Sequence, residues 1–382
     1  MARARRLPAR PDVSDDALAA PRFGAAPELA LGLEDELLLV DARTHALSHT
    51  GVELLERLAV PESAGTAKPD TYAAMVELTA PISRSAPDAA RAIGALRARV
   101  RAAGGTVIGA GIHPDGAHGD VVHFPAERYA VLAEQLRGLL RRTPTAAVHV
   151  HVAMPDVETA IAVCNGLRDH LPAIGALAAN SPFWFGQDSG MASARAPLFR
   201  GYRGAEIPRA FRSYDDYAET IAATVVAGDL TDYTFLYWDL RPHPKLGTVE
   251  LRAMDGQSAL WAEAALAALV HALAAREAQA PRRSSWTPRE ALVEASFAAH
   301  RDGLDARLPL DGALRPAREV IRATLEQARP FARDLGAEDA LGGIERILAE
   351  GNGADRQRAA FARGGMAAVL GLLVDEAAAD YA

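Results

Sequence analysis

The sequence predicts an α+β fold in which one β-sheet has an apolar face covered by helices and an opposite face that carries ionisable side chains. Two observations support this fold class. Several separate segments alternate apolar and ionisable residues with the period of two that is typical of a half-buried strand. From about residue 258 to the end, the apolar spacing and the turn signals are almost entirely those of helices. We therefore expect a sheet followed by a helical C-terminal region.

The strands and helices are predicted from residue spacing, taken in chain order. Leucines at odd positions indicate the first strand and leave Glu34 and Glu36 together on its opposite face. A helix follows the second strand, because Ser85 is a favoured N-cap residue and apolar residues then recur at helical spacing. Farther along, three valines alternate with His149 and His151, and the TVELR run repeats this pattern. We expect strands at 28–40, 73–79, 106–112, 145–154 and 248–252, and helices at 87–103, 126–141, 156–179 and 214–226.

The composition is that of an ordinary globular protein of 382 residues, with 49% apolar and 24% charged residues. The 41 basic and 49 acidic residues give a net charge of -8, which argues against nucleic acid or an anionic membrane as a partner. Cys164 is the only cysteine, so an intramolecular disulfide and a multi-cysteine zinc site are excluded, and a reducing cytoplasm is expected. The most apolar windows are too short or contain polar residues, so no membrane span is predicted.

The domain organisation is predicted to be simple. The first ten residues are basic and lack the apolar stretch of a secretory signal. We expect residues 1–26 to be disordered and residues 27–382 to form a single catalytic domain, with a helical C-terminal portion from about 258. No Gly-rich loop ends in Gly-Lys-Ser/Thr, so a Walker-type phosphate site is excluded.

The ionisable strand residues are predicted to lie side by side on the open face of the sheet. Same-face residues of a strand are about 6.6 to 6.8 Å apart, so Glu34 and Glu36 can each bind a cation while sharing a neighbour. Acidic residues with few nearby lysines favour Mg²⁺, which prefers carboxylate and phosphate oxygens. We predict that His149 binds metal or a phosphate oxygen and that Arg252 steadies a transferred phosphoryl group. The predicted carboxylate ligands are Glu34, Glu36, Glu77 and Glu250.

Two other interpretations of these strands stay open. The charged face could be a wall of exposed salt bridges, which is the commoner outcome for any single strand of this kind. Alternatively, the His-Val-His strand could contribute to the zinc site of a hydrolase, because two imidazoles on one strand face are a common arrangement. The run GIHPDGAHGDVVH would then supply further ligands from His113, His118 and His123.

Six segments together form a specific combination: GLEDELLLVDARTHAL, MVELTAPISRS, GAGIHPDG, VHVHVAMPD, ANSPFWFGQDSGMASAR and LYWDLRPHPKLGTVELRAMD. They occur in the order found in the YbdK-like carboxylate-amine ligases, the glutamate-cysteine ligase family 2, which the chain resembles from about residue 28 to 275. The resemblance implies a glutamine-synthetase-like catalytic fold, in which one face of an antiparallel sheet binds Mg²⁺ and ATP. It also implies a homodimer.

The resemblance carries roles onto individual residues. Glu34 and Glu36 match the first and third acidic residues of the family's Gly-x-Glu-Glu-Glu run, and Glu77 matches the acidic residue of its Met-Val-Glu strand. Glu250 and Arg252 match its Glu-x-Arg pair. By resemblance, the metal ligands are Glu34, Glu36, Glu77, Glu250 and His149, the catalytic residues are Arg252, Glu36 and His149, and the substrate or nucleotide ligands are Arg195, Arg241, Arg252 and His151.

The activity that the resemblance implies is ATP-dependent amide formation through an acyl phosphate, with Mg²⁺ or Mn²⁺ as the metal. Glutamate and cysteine are the implied small-molecule carboxylate and amine substrates. Two rivals belong to other classes of protein. A zinc hydrolase would need no nucleotide, and a non-catalytic relative with the same fold would bind nucleotide without turning it over.

Overall fold

The computed structural model describes residues 18, 20–283 and 285–381 of the chain. The strands are Leu31–Val40 (β1), Thr66–Lys68 (β2), Met75–Thr79 (β3), Thr106–Ile108 (β4), Ala147–Ala153 (β5), Phe183–Trp184 (β6), Gln187–Asp188 (β7), Leu240–His243 (β8), Thr248–Asp255 (β9), Arg307–Leu310 (β10) and Ala313–Pro316 (β11). The helices are Gly51–Arg57 (α1), Ala86–Ala102 (α2), Glu127–Leu136 (α3), Val157–Leu167 (α4), Leu171–Ala178 (α5), Arg195–Phe199 (α6), Tyr214–Gly228 (α7), Leu260–Gln279 (α8), Arg289–Asp302 (α9), Ala317–Asp334 (α10), Glu338–Glu350 (α11) and Gly353–Ala378 (α12).

A seven-stranded antiparallel sheet lies at the centre of the described chain. Its strand order is β2-β3-β1-β5-β9-β8, and β4 pairs with the end of β1 beside this path. The α+β fold with an antiparallel sheet is therefore confirmed. The sequence did not predict β2, which has only three residues and no recognisable periodicity.

The apolar face of the sheet carries the leucines and valines whose alternation predicted the strands. Leu33, Leu37, Val150 and Leu251 are all buried in one core with α2, α4, α5 and α8. The same core extends to α10 and α11. At the start of α2 the hydroxyl of Ser85 accepts a hydrogen bond from the amide of the third helical residue, as its N-cap position requires.

The structure departs from the predicted helical pattern in two places. The helix expected over 156–179 is broken by a 3₁₀ turn at Arg168–His170, immediately before Pro172 in the first turn of α5. Proline lacks an N–H and its ring clashes with the preceding helical turn, so it fits the start of a helix better than its interior. The C-terminal region is also not purely helical, because β10 and β11 form a hairpin around Asp311-Gly312.

Residues 1–26 were expected to be disordered, and the structure tests this expectation for part of the segment. Residues 1–17 and 19 lie outside the described residues. For residues 22–24 the prediction is wrong, because the amide of Arg22 donates to the carbonyl of Pro244 and that of Gly24 donates to Met154, both at 2.9 Å. This segment reaches the rim of the sheet's polar face.

None of the helices in the described part of the chain combines the length and the apolar character that crossing a bilayer requires.

Candidate active site

A cavity of about 870 Å³ opens on the polar face of the sheet. It is walled on the far side by α3 and by the segment 232–237. A second cavity of about 70 Å³ adjoins it and shares seven of its lining residues. Of the residues that the sequence singled out, Arg195 lines the smaller cavity alone. The others line the larger one: Glu34, Glu36, Glu77, His149, His151, Arg241, Glu250 and Arg252.

The register of the antiparallel strands brings these residues together. Directly opposed side chains on neighbouring strands lie about 4.5 to 5.5 Å apart at Cβ, so residues distant in sequence become contact partners. The opposed pairs are Glu36 with Glu77, Glu34 with His149, His151 with Glu250, and Arg241 with Glu250.

Three of the residues can converge on one metal ion. Glu34, His151 and Glu250 each offer a ligand atom, and these atoms all lie within 4.8 Å of one another. Two carboxylates and one imidazole form a donor set that suits Mn²⁺, and Mg²⁺ through its carboxylate oxygens. The geometry thus adds His151, for which the sequence implied substrate binding, to the candidate ligands. His149 instead lies with Nδ1 3.1 Å from Glu34 and Nε2 3.5 Å from Glu36.

A group of buried carboxyls on and beside β1 and β3 resists ionisation. Burial raises the pKa of Glu36 well above its ordinary value, and the nearby carboxylates of Asp70 and Glu77 raise it further. Burial, followed by the neighbouring Glu34, raises the pKa of Glu77 to about 8. Since each carboxyl resists ionisation beside the others, a bound divalent cation would favour their charged forms. The residues present therefore fit a cation.

Basic side chains, one lysine and two arginines, already pair with some of the acidic ones. The ammonium of Lys68 is 2.9 Å from Glu77 and 3.8 Å from Glu34. Glu250 contacts Arg252 and accepts a hydrogen bond of 2.6 Å from Nε of Arg241. Although burial opposes it, these two arginines hold the pKa of Glu250 well below its usual range. The polar face is thus neither purely acidic nor exposed.

The pKa values of the two histidines of β5 are shifted in opposite directions. Burial and then the adjacent Arg252 lower the pKa of His149 to about 4, so its imidazole is neutral at pH 7. Burial also acts to lower the pKa of His151, but the carboxylates of Glu250 and Glu34 outweigh it and raise that pKa. A neutral imidazole is the form that can accept a proton or bind a metal.

Sequence reasoning missed several residues of the larger cavity. Lys68 and Asp70 belong to the short stretch TAKPD before β3, which carries no periodic pattern. Asp70 lines both cavities, and its Oδ1 accepts hydrogen bonds from the amide and hydroxyl of Thr71. Two features of the sequence could have indicated that these residues belong to the site. The stretch is charged, and it lies just before the Met-Val-Glu strand. The other missed polar or aromatic lining residues include Arg128, Tyr129, Tyr233, Tyr237, His243 and Lys245.

The histidines of the run GIHPDGAHGDVVH do not join the site, so the zinc interpretation loses its extra ligands. His113 bonds the carbonyl of His45 at 2.9 Å, His118 packs against the ring of Phe185, and His123 packs against Tyr72. Within the described residues, no group of three or more histidines that could hold a metal occurs.

Comparison with known proteins is consistent across sequence and structure. Residues 30–375 match the family model described as glutamate-cysteine ligase family 2. A protein of Rubrobacter xylanophilus named "Putative glutamate--cysteine ligase 2-3" is 38% identical over 352 residues, which are 90% of this chain and 95% of that protein. A protein of Thermobifida fusca named "Putative glutamate--cysteine ligase 2" is 34% identical over 360 residues, 90% of this chain and 89% of its own length.

Solved structures with the same fold are much more distant in sequence. The glutamate-cysteine ligase of Francisella tularensis in complex with AMP gives a TM-score of 0.68 at 11% identity, covering 94% of this chain and 88% of that chain. A bifunctional glutathione synthetase from Pasteurella multocida gives 0.68 at 16% identity, covering 92% of this chain and 52% of that one. The fold implied by the sequence resemblance is thus the fold observed.

Proposed function

Because the chain belongs to the glutamate-cysteine ligase family 2, we propose that it is an ATP-dependent carboxylate-amine ligase. One observation carries the proposal. Four glutamates, two histidines and Arg252 from β1, β3, β5 and β9 line one cavity. This set can bind a divalent cation, and the cation would neutralise the charge of a polyphosphate. The histidines that a zinc hydrolase would need lie elsewhere.

The chemistry follows from the inertness of a carboxylate toward amines. Its oxygen is a poor leaving group, and its negative charge shields the carbon from a nucleophile. Transfer of the γ-phosphoryl group of ATP to a carboxylate oxygen gives an acyl phosphate and ADP. Attack by the amine on the acyl carbon then forms the C–N bond and expels phosphate. Both steps depend on positioning and charge stabilisation, which the polar face can supply.

The metal ligands in this proposal are the carboxylates and imidazoles of the sheet. When bound, a divalent cation supplies charge neutralisation for the phosphate oxygens. We assign this binding to Glu34, Glu36, Glu77, Glu250 and His149 from the sequence, with His151 added by its proximity to Glu34 and Glu250.

Arg252 stabilises the charge of the transferred phosphoryl group. Its guanidinium contacts Glu250 and lies 3.5 Å from Nδ1 of His149, so it is held on the cavity side of β9. Burial would lower its pKa, but the carboxylates of Glu250 and Glu36 outweigh burial and raise it, so the charge is permanent. A fixed cation needs no reorganisation as negative charge develops. Arg241 bonds the other side of Glu250 and keeps that carboxylate in place.

We propose that one of two carboxyls, Asp70 and Glu36, takes the proton that the amine must lose. An amine substrate arrives largely as an ammonium ion and becomes a nucleophile only after deprotonation. Both carboxyls line the junction of the two cavities. Burial raises the pKa of Asp70, which makes it a better proton acceptor than an exposed aspartate. We assign the general base to Asp70, because Glu36 is assigned to the metal.

The substrates we propose are those in the names of the relatives, glutamate and cysteine, with γ-glutamylcysteine as product. The test is release of ADP and phosphate from Mg-ATP by the pure protein, with glutamate and a panel of amines, and identification of the product by mass. Release that requires both an acid and an amine is the expected result. ATP binding without release for any pair of substrates would instead favour the non-catalytic relative.

We also propose that the protein acts as a homodimer in the cytoplasm. Light scattering of the eluted protein during size-exclusion chromatography tests the dimer directly. A monomer mass at micromolar concentration would contradict it.

A further inference from the structure

Lys68 places an ammonium group among the carboxyls of the polar face. It lies on β2 directly opposite Glu77 of β3, and Glu77 is in turn opposite Glu36 of β1. Directly opposed residues of antiparallel neighbours share one face of the sheet. All three residues line the larger cavity. One lysine and two glutamates thus form a row across three strands.

The ammonium of Lys68 bridges two carboxylates. Its Nζ lies 2.9 Å from Oε1 of Glu77 and 3.8 Å from Oε1 of Glu34. The side chains of Glu34 and Glu77 are 15% and 13% exposed, whereas that of Lys68 is 47% exposed. The ammonium therefore contacts carboxylates that are largely buried, while much of the lysine side chain stays accessible to solvent.

A divalent cation that bridged Glu34 and Glu77 would need the space of this ammonium. Bonds from Mg²⁺ to oxygen are about 2.0 to 2.1 Å long, so such an ion would also lie between the two carboxylates. Positive charges at so short a separation repel each other strongly, because the Coulomb energy rises as the distance falls. The ammonium and a metal ion are therefore alternatives at this position.

The metal position formed by Glu34, His151 and Glu250 is a different one. Its ligand atoms come from β1, β5 and β9, whereas β2 and β3 lie on the other side of β1 in the sheet. Glu34 belongs to both positions. An ion can therefore bind on the β5 side of Glu34 while Lys68 stays on Glu77.

Lysine is a residue that suits an exchangeable cation. Among the 41 basic residues of the chain, only Lys68 and Lys245 are lysines. Lysine carries a compact charge on a flexible four-carbon stem, whereas arginine binds carboxylates through a rigid fork. Glu250 is held by two such forks, those of Arg241 and Arg252. The half-exposed ammonium of Lys68 can instead leave its carboxylates for water without a change in the backbone.

We infer that Lys68 is a tethered cation that occupies the place of a second divalent ion between Glu34 and Glu77. Metal loading is then ordered. Glu34, His151 and Glu250 bind the first ion, and Glu77 binds a second ion only when the ammonium has withdrawn. The second ion is therefore the weaker one. The inference rests on the metal site of the proposed function and names the residue that sets its occupancy.

The test counts the Mn²⁺ ions that the nucleotide-free protein binds at neutral pH, using the electron paramagnetic resonance signal of free Mn²⁺. We expect the wild-type protein to bind one ion tightly and a second one weakly. Lys68→Met is expected to tighten the second ion by about 10- to 100-fold, because the repulsion from the ammonium is gone. Lys68→Arg keeps the charge and is expected to leave the second ion weak.

The other lysine of the chain provides the matched control. Lys245 lines the same cavity, but it lies in the turn between β8 and β9, at the opposite edge of the sheet from β2. Lys245→Met is expected to leave the affinities of both ions unchanged. Adding Glu77→Gln to Lys68→Met should weaken the second ion again, which locates it at Glu77. Circular dichroism checks folding, and Lys68→Gln replaces Lys68→Met if the latter does not fold.

The outcomes separate the inference from the proposed function. Two ions of equal affinity in the wild type, or an unchanged second affinity in Lys68→Met, overturn the inference and leave the ligase to the ADP-release assay. A wild-type protein that binds no Mn²⁺ overturns the metal assignment and the inference together. A tightened second ion in a protein that releases no ADP supports the inference and counts against the ligase.

Discussion

Arg97 is the buried charge that ties the central strand to two helices, and its replacement by methionine tests how much the sheet depends on it. Its guanidinium donates to Asp35 of β1 and to Glu263 of α8, both at 2.8 Å, and all three side chains are fully buried. It also donates to the carbonyls of Gln257 and Ser258, just before α8. Arg97→Met removes all of these donors and leaves four acceptors buried.

The expected loss is large for a single substitution. Removing one partner of a buried ion pair costs about 3 to 5 kcal/mol. With about 2.1 cal/mol/K of unfolding entropy per residue over 382 residues, a loss of about 4 kcal/mol lowers Tm by about 5 °C. Urea unfolding followed by tryptophan fluorescence measures the free energy. Arg91→Met on the same helix is the matched control, because Arg91 is exposed and its pair with Asp88 is worth about 1 kcal/mol or less.

A second variant tests the charge balance of the cluster. One arginine faces two carboxyls, and burial, then the charge of Asp35, raises the pKa of Glu263 well above its usual value. Because this carboxyl resists ionisation, Glu263→Gln is expected to cost less than Arg97→Met, below about 1.5 kcal/mol. The reasoning is refuted if Arg97→Met is no worse than Arg91→Met, or if Glu263→Gln is as costly as Arg97→Met.

Three further predictions concern the site and its support. Glu36→Gln is expected to abolish ATP-dependent turnover, because the glutamine side chain carries no charge. Little change in Tm is expected, because its amide oxygen can still accept the hydrogen bond from the backbone amide of Ala147. Full activity of this variant would remove Glu36 from the site. Burial lowers the pKa of His300 to about 4, whereas its value in the unfolded chain is about 6.5. Between these two pH values the unfolded state binds more protons than the folded state. The free energy of unfolding therefore falls as the pH falls, by up to about 1.4 kcal/mol per pH unit. His300→Gln should reduce this slope in urea titrations between pH 4 and 7, and an unchanged slope would contradict the assignment. Gly111→Ala is expected to displace Arg195 and raise KM for the acid, and an unaltered KM would show that the position tolerates a methyl group.

The strands that carry the site were predictable because alternation fixes which residues share a face. Glu34 and Glu36 had to lie opposite the leucines of β1 once that strand was assigned. The same argument placed His149 and His151 together on β5. It could not say which strands are neighbours, since register depends on the whole chain path. The family resemblance supplied the common face instead, and the antiparallel pairing agrees with it.

The residues that were missed belong to segments without periodicity. Lys68 and Asp70 lie on and just after a strand of three residues, which is too short for an alternating pattern to be recognised. Asp35 lies by alternation on the apolar side of β1, and its partner there, Arg97, is 62 positions away in the sequence. Long-range ion pairs of this kind leave no local signal in a sequence.

A β-bulge explains how β9 serves both the site and its support. Val148 and Val150 of β5 pair with Met254 and Leu251, so one residue of β5 is opposed by two of β9. Such a bulge shifts the alternation by one position beyond it. Strict alternation would put Met254 on the polar face with Arg252, whereas the structure buries Met254 in the core under the sheet. Asp255 is thereby turned toward the side on which it accepts hydrogen bonds from the hydroxyls of Ser181 and Ser193. The hydroxyl of Ser181 in turn accepts a hydrogen bond from the amide of Arg195. The single extra residue thus lets one strand present Arg252 to both cavities and support the backbone of Arg195, which lines the smaller one.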